Sequence, residues 1–394
     1  MLKILYLSAL SSERLINDIY AKTENNPGFA VQKFSRLLVS GLSKNGVNIS
    51  TLTSPPVNKR YSKKIFISLS AEVEDGIEYN YIPILQLPIL KHFVVFFYTF
   101  FYVLRWSRKE KGRKVVICDA LAVSTSLGAL FASKISSITC AAVVTDIWGL
   151  MVSAKSKLSV VPSRLNSWYV KKFDKYILLT YQMNEKVNPR GKPHIVMEAL
   201  CDNQMAEIKL DGIKKAQPRT LLYAGGIHER YGLKMLAEAF IRANIPNAKL
   251  VYYGSGPYVE DFINLCAQYE NLEYRGVAPN SEIVAEELSA TLLINPRFST
   301  EEFAKYSFPS KNMEYMASGT PLLTTKLPGM PDEYYPYIYM FENESIEGYA
   351  ETIRRIMELP ESDLAQLGKN ARDFVLTKKN QVYQGRRILE FLNS

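Results

Sequence analysis

The sequence predicts an α/β protein built from two doubly wound domains. Three observations carry that reading. At 394 residues the chain is too long for one typical core. Short apolar runs alternate with helical stretches through the first half, and the alternation starts afresh near residue 220. Between the halves lies a polar stretch, 202–218, that contains Gly212 and Pro218 and has the composition of a linker.

In the first half, strands are expected at 3–8, 47–52, 79–84, 114–118, 139–145 and 176–179, with helices between them, for instance over 30–42 and 122–134. In the second half, strands are expected at 220–224, 248–253, 272–275, 291–295 and 321–325, and helices over 233–242, 259–269, near 282–288 and from 310. The stretch 361–394 is helical in pattern, with long polar faces. The expected organisation is a first domain at 1–204, a linker at 205–218, a second domain at 219–374, and a C-terminal helix at 375–394 that packs back on the first domain. Two such domains facing each other leave a cleft between the carboxyl edges of their sheets, the place where open α/β sheets bind ligands.

Composition narrows the chemistry. Cys118, Cys140, Cys201 and Cys266 are widely spaced, so they read as reduced core residues and not as a disulfide frame or a zinc site. The three histidines, His92, His194 and His228, are far apart in sequence, which argues against a histidine metal cluster. No metal and no cofactor are expected. The opening residues read as a buried first strand and not as a signal peptide.

The net charge of +9 is unevenly spread. Residues 1–200 carry 27 Lys and Arg against 13 Asp and Glu, a net of +14, and residues 201–394 carry 21 against 26, a net of −5. A basic half suggests an anionic surface as partner. The apolar run 93–104 is followed by Arg105, Trp106, Arg108, Lys109, Lys111, Arg113 and Lys114. That run is shorter than the roughly 20 residues needed to span a bilayer. Exposed aromatics, a Trp and a basic flank suit the membrane interface, with Lys59, Arg60, Lys63 and Lys64 adding to the field. A buried helix is the alternative. No nucleic-acid-binding pattern is present, and nucleic acid is not an expected partner.

The chemistry-bearing residues cluster at expected strand ends. Gly225 and Gly226 follow one strand, with Arg230 in the same turn; Gly254 and Gly256 follow the next, and Arg297 follows another. Glycine allows a backbone to approach a phosphate closely, and arginine pairs with a diphosphate. The segment 306–321 is the most informative. Ser310 follows Pro309 at a helix start, which offers free N–H groups to a phosphate. Lys311 and Glu314 share a face of that helix, a cation for a diphosphate and a carboxylate for vicinal hydroxyls, and Gly319 ends it. Each feature alone has a bland alternative, a turn or a solvated helix face. In the first half, Gly28 and Phe29 lead from a loop into a helix, with Asn25 or Asn26 as possible caps. Asp146 ends a strand, and reads as a base or hydroxyl ligand on one view and as a helix N-cap on the other. Asp119 has the same ambiguity.

The motifs Leu221-Leu-Tyr-Ala-Gly-Gly226, Tyr231-Gly-Leu-Lys-Met-Leu236, Leu250-Val-Tyr-Tyr-Gly-Ser-Gly256, Tyr274-Arg-Gly276 and Phe308-Pro-Ser-Lys-Asn-Met-Glu-Tyr-Met-Ala-Ser-Gly-Thr-Pro321 resemble family 4 glycosyltransferases, retaining enzymes of the GT-B fold. The likeness covers roughly residues 220–335, and the first half is a looser match through Gly28 and Asp146. The resemblance implies a nucleotide-diphosphate sugar donor held mostly by the second domain, with Glu314 on the ribose. The family's first glutamate would fall at 306, where Tyr306 stands, with Glu301 and Glu302 out of register. Its usual phosphate-binding Arg and Lys align with Gly226 and Tyr231, so Arg230 and Lys311 are left to supply charge. These departures look like a bacterial surface-polysaccharide subgroup. The implied reaction moves a sugar to a hydroxyl of a saccharide acceptor, lipid-diphosphate-linked, on the cytoplasmic face of the cell membrane. Arg230, Lys311 and Asp146 are the implied catalytic residues; Gly225, Gly226, Gly254, Gly256, Arg297, Ser310 and Glu314 hold the donor; Gly28 and Phe29 lie on the acceptor side. A nucleotide-sugar 2-epimerase, or a silent scaffold of a polysaccharide complex, fits the same fold.

Overall fold

The computed structural model describes residues 2–24, 28–150, 160–210 and 212–394. The chain divides into two compact units, residues 1–200 with 381–394, and residues 201–380.

The first unit runs β1 (Lys3–Ser8), α1 (Glu13–Thr23), α2 (Phe29–Lys44), β2 (Asn48–Thr53), β3 (Phe66–Ile67), β4 (Glu72–Glu74), β5 (Ile77–Tyr81), β6 (Ile84–Leu85), α3 (Leu90–Lys109), β7 (Lys114–Asp119), α4 (Val123–Ile135), β8 (Thr139–Val144), α5 (Val160–Tyr169), β9 (Lys175–Leu178), α6 (Met183–Val187) and β10 (His194–Val196). Its main sheet has the order β10-β9-β8-β7-β1-β2-β5-β4, parallel except for β4 against β5, and β3 and β6 form a small antiparallel pair. The central strands read as unbroken apolar runs because both faces are covered, and Ile4, Leu5, Val115, Val116, Ala141 and Ile177 are fully buried. All four cysteines are free and buried.

α3 and α4 are each other's main helical partner. Gly128 permits this, since a Cβ there would lie 2.5 Å from the Phe96 carbonyl oxygen. The inward face of α3 carries Val95, Thr99, Val103 and Trp106. The outward face repeats every four residues: Phe93, Phe97 and Phe101 are each more than half exposed, and Ile89 just before the helix is 74% exposed. Trp106, expected at an interface, is instead on the inward face and 7% exposed. Among the described residues no helix is long and apolar enough to cross a membrane.

The second unit runs β11 (Arg219–Ala224), α7 (Leu233–Ala243), β12 (Ala248–Tyr253), α8 (Val259–Cys266), β13 (Leu272–Tyr274), α9 (Asn280–Ser289), β14 (Leu292–Asn295), α10 (Ser310–Ser318), β15 (Leu322–Thr324), β16 (Tyr339–Met340), α11 (Ile346–Met357) and α12 (Glu361–Lys378). All six strands are parallel, in the order β13-β12-β11-β14-β15-β16. The chain leaves β11 in one direction and β14 in the other, so the switch point lies between these two strands.

Residues 205–218, expected as a linker, lie on the second unit. Arg372 of α12 is buried and donates to the carbonyls of Met205 and Ile208 at 2.6 and 2.8 Å and to that of Ala317 at 2.6 Å. Lys215 Nζ donates to the Leu288 and Ala290 carbonyls, both at 2.9 Å. A polar composition here reflects backbone groups met by long basic side chains, not freedom. The helical stretch at the C-terminus is also two helices, α12 and α13 (Gln381–Asn393), and α13 packs on α2 within the first unit.

Replacing Arg372 by Leu leaves three carbonyls without their donor. The expected cost is about 3 kcal/mol of stability, with faster proteolytic nicking near residues 202–210. Wild-type nicking kinetics in this variant would remove the clamp.

Candidate functional site

The loops after β11, β12, β13 and β14 lie on one edge of the second sheet, and backbone bonds fasten the first three to one another. Gly225 N–H donates to the Tyr253 carbonyl at 2.9 Å, Ile227 N–H to that of Ser255 at 2.9 Å, and Gly254 N–H to that of Gly276 at 2.7 Å. Gly254 has φ 137°, and a Cβ there would sit 1.7 Å from the Gly225 carbonyl oxygen. A Cβ on Gly256 would sit 2.1 Å from the Ile227 carbonyl oxygen. The approach of loop to loop therefore requires both glycines, whatever else they meet.

Two arginines are held over aromatic rings beside these loops. The Arg297 guanidinium lies 4.4 Å from the Tyr231 ring centre, and that of Arg230 lies 4.6 Å from the Phe303 ring centre. Such stacking holds a guanidinium in a fixed orientation beside the loops. Tyr231 occupies the position where the family pattern expects a cation, and a guanidinium sits over its ring. The His228 ring packs 4.8 Å from Tyr231. Burial, then Arg230 and Arg297, push its pKa below the ordinary histidine value.

α10 is fixed to the end of β11 by Tyr315. Its hydroxyl accepts from Ala224 N–H at 2.7 Å and donates to the Ala224 carbonyl at 3.1 Å. Asn312, fully buried, accepts from Asn295 Nδ2 at 2.6 Å. Ser310 opens the helix and is exposed, and Gly319 closes it at φ 81°. Lys311 Nζ lies 2.7 Å from Glu314 Oε2 and 4.0 Å from Oε1 of Glu287 in α9. Burial works against the Lys311 charge, but Glu314 and Glu287 outweigh it and raise the pKa above the ordinary lysine value. Lysine and the two carboxylates bring one positive and two negative charges. Arg230 and Arg297 bring two further positive charges to this edge, and Lys311 is first of all the counter-ion of two carboxylates. Tyr306, in a short 3-10 turn over Glu302–Tyr306, is buried with Phe303 and Ala304.

The structure thus brings Gly225, Gly226, Arg230, Gly254, Gly256, Arg297, Ser310, Lys311 and Glu314 to one sheet edge. Sequence reasoning missed Glu287, His228, Tyr315 and the ring platforms Tyr231 and Phe303. Of these only Tyr231 and Tyr315 lay inside motifs already singled out; Glu287 looks like any acidic residue of a solvated helix.

The first unit has its own edge. Gln32, in the first turns of α2, accepts from Ser11 N–H at 2.8 Å and donates to the Ala9 carbonyl at 2.7 Å, which places the start of α2 at the end of β1. Gly28 precedes that helix at φ 86°, and Phe29, 39% exposed, meets Tyr20 edge to face. The caps considered for this helix, Asn25 and Asn26, are outside the described residues. Asp146 follows β8 and accepts from Ile147 N–H at 2.6 Å; residues 148–150 form a turn and not a helix. It lines a cavity of about 200 Å³ together with Trp148, Asn166, Lys171 and Lys186. Asp119, at the end of β7, is buried, and burial raises its pKa to about 6 even though it accepts from Leu121 N–H at 2.9 Å. Among the described residues no group of three or more His, Cys, Asp or Glu is placed to hold a metal ion.

Residues 205–374 match the family model of glycosyl transferases group 1. No curated protein matches the sequence. Among solved structures, sucrose-phosphate synthase from Thermosynechococcus elongatus aligns over 99% of this chain and 98% of its own, with a TM-score of 0.67 at 13% identity. The lipopolysaccharide outer core galactosyltransferase WaaB aligns over 99% of both chains, with a TM-score of 0.61 at 13% identity. HepE of Anabaena, solved in complex with UDP, aligns over 99% of both chains, with a TM-score of 0.62 at 12% identity. At these identities the likeness is one of fold, two Rossmann-like domains of the GT-B kind. With the family match, it makes the protein an enzyme of the glycosyltransferase class.

Two outcomes follow from the charges. Lys311→Ala removes the cation that faces Glu314 and buried Glu287 and is expected to cost about 2 kcal/mol, part of it recovered by adding Glu287→Gln; a double-mutant cycle by urea unfolding checks this, and additive costs would dismiss the pairing. Asp119 has a folded pKa of about 6, above its unfolded value, so it is free of penalty at low pH and destabilises as pH rises through 6. Asp119→Asn should therefore raise stability by about 3 kcal/mol at pH 7.5 and leave it nearly unchanged at pH 3. A gain that is the same at both pH values would refute the burial argument.

Proposed function

We propose that the protein is a retaining glycosyltransferase of the family 4 kind, which moves a sugar from a nucleotide-diphosphate sugar to a hydroxyl of a lipid-diphosphate-linked saccharide in bacterial surface-polysaccharide synthesis. The observation that carries this is the pair of ring-stacked arginines at the switch point of the second sheet, beside the start of α10. A dianionic leaving group fits that edge. A nucleotide-sugar donor is also supported by neighbours of the same fold, HepE with UDP and the Escherichia coli structure with bound UDP-2-fluoro glucose.

In the proposed reaction the bond from the anomeric carbon to the diphosphate oxygen breaks, and the acceptor oxygen forms its bond on the same face. The acceptor proton passes to the departing phosphate, and the nucleoside diphosphate leaves. Arg230, Arg297, Lys311 and the N–H groups near Ser310 stabilise the charge that builds on the leaving group. For Lys311 this entails exchanging part of its pairing with Glu314, which is then available to the ribose. Gly225, Gly226, Gly254 and Gly256 shape the donor loops. Asp146, with Gly28 and Phe29, serves the acceptor side, Asp146 orienting its hydroxyl. With the diphosphate charge met by side chains, the reaction needs no metal.

The protein would work at the cytoplasmic face of the cell membrane, against an anionic surface. The support is the stripe Ile89, Phe93, Phe97 and Phe101, extended by Phe131 and Ile135 of the neighbouring α4, on the half of the chain with the basic excess.

A thermal-shift screen over nucleotide-sugars should find one that raises the melting temperature. Arg297→Met should weaken that donor about tenfold to a hundredfold, and the His228 pKa followed by NMR should rise when it binds, because an anion cancels the arginine field. Transfer should survive EDTA. A donor that stabilises the protein and is epimerised without acceptor supports the 2-epimerase instead; no stabilisation by any nucleotide-sugar supports the silent scaffold.

A further inference from the structure

A cavity of about 440 Å³ opens in the first unit just before α3, and its lining is chemically one-sided. Lys59, Arg60 and Lys91 are among the lining residues, with Asn58, Gln86 and Leu87, and none of the lining residues is acidic. The volume is in the range of small-ligand sites.

The basic loop is built into place. Buried Gln86 donates from Nε2 to the Ser62 carbonyl at 2.7 Å and to that of Lys64 at 2.8 Å, and its own N–H donates to the Ile65 carbonyl at 2.7 Å. Asn58 Oδ1 accepts from Arg60 N–H at 2.9 Å and from Tyr61 N–H at 3.3 Å, and the Tyr61 hydroxyl donates to Asp18 at 2.8 Å. Lys91, in the first turn of α3, is partly withdrawn from water, and burial alone lowers its pKa. A cation held in that state gains by meeting an anion there.

The surroundings of the cavity are apolar. Leu87, Ile89, Leu90 and Phe93 on the α3 side are 39%, 74%, 50% and 56% exposed. Ile65 and Phe66, tied to the strand before α3 through the Gln86–Ile65 bond and the Phe66–Leu85 pairing, are 63% and 54% exposed. A basic cavity set among exposed apolar side chains matches a lipid, whose phosphate and acyl chains are adjacent in the same way.

We propose that this cavity binds the phosphate headgroup of an anionic membrane phospholipid. This rests on the membrane-facing part of the function proposed above. Diffuse charge attraction depends only on how many cations face the membrane; a headgroup site depends on which ones.

Flotation of the full chain with phosphatidylcholine vesicles, with and without phosphatidylglycerol, tests this. Two charge-matched variants are compared, Lys59→Gln/Arg60→Gln/Lys91→Gln in the cavity and Arg105→Gln/Arg108→Gln/Lys109→Gln along α3. The wild type should bind phosphatidylglycerol vesicles, and the cavity variant should bind them at least about tenfold more weakly than the α3 variant. If the cavity variant fails to fold, Lys91→Gln alone should show the same order at smaller amplitude. Equal losses in both variants would overturn the headgroup site and leave membrane docking standing. A wild type that stays with the buffer at every vesicle composition would overturn docking and the headgroup site together. Glycerol phosphate is the remaining arm: weak competition with the vesicles is expected, and binding of it as tight as vesicle binding would assign the cavity to a soluble phosphate and overturn the lipid.

Discussion

Parallel pairing is the constraint from which the rest follows. A parallel strand cannot be joined to its neighbour by a tight turn, so the chain must travel back along a face of the sheet. In both units those return paths are mainly helices, they bury the sheet faces, and polar chemistry is confined to the loops at the strand ends. The second unit shows the result at its clearest. Strands β11, β12 and β14 contribute three loops to one edge, and the reversal of direction between β11 and β14 opens that edge to a ligand.

The charges at that edge are arranged in two ways, with different consequences. Lys311 is set among carboxylates, and part of its charge is already spent when the site is at rest. Arg230 and Arg297 lie on aromatic rings, which hold each guanidinium in position. Burial first, and the two arginines after it, lower the His228 pKa, because both disfavour the imidazolium cation. In the reaction proposed above, the arginines would attract the diphosphate first, and the lysine would add its share once that anion competes with Glu314.

How much of this could be read from the sequence depended on the range of the signal. Parallel strands buried on both faces are continuous apolar runs, so β1, β7, β8, β11 and β12 were visible directly. The start and stop of α10 were visible through Pro309 and Gly319. The glycines at 254 and 256 were found, but the carbonyls that require them come from another loop and cannot be seen along the chain. Glu287 was invisible for a related reason: only the packing of α9 beside α10 turns one acid of a polar helix into a buried partner of Lys311. Trp106 was misjudged because composition gives no phase, and the phase of α3 turns it inward. The break between α12 and α13 has neither Gly nor Pro to announce it.

That last break affects how the chain comes into being. α13 fills a place in the first unit: Gln384, Ile388 and Leu392 are fully buried, Gly385 lies against the backbone of Gly41, and Arg113 donates to the Leu392 and Asn393 carbonyls at 2.8 and 2.7 Å. A ribosome delivers the whole of the second unit before it delivers this helix. The unit synthesised first is therefore the last to be completed, and until then it shows the groove along α2 to whatever is nearby. The first unit is thus completed only by the last helix of the chain, and a nascent chain has reason to need shelter for its N-terminal half.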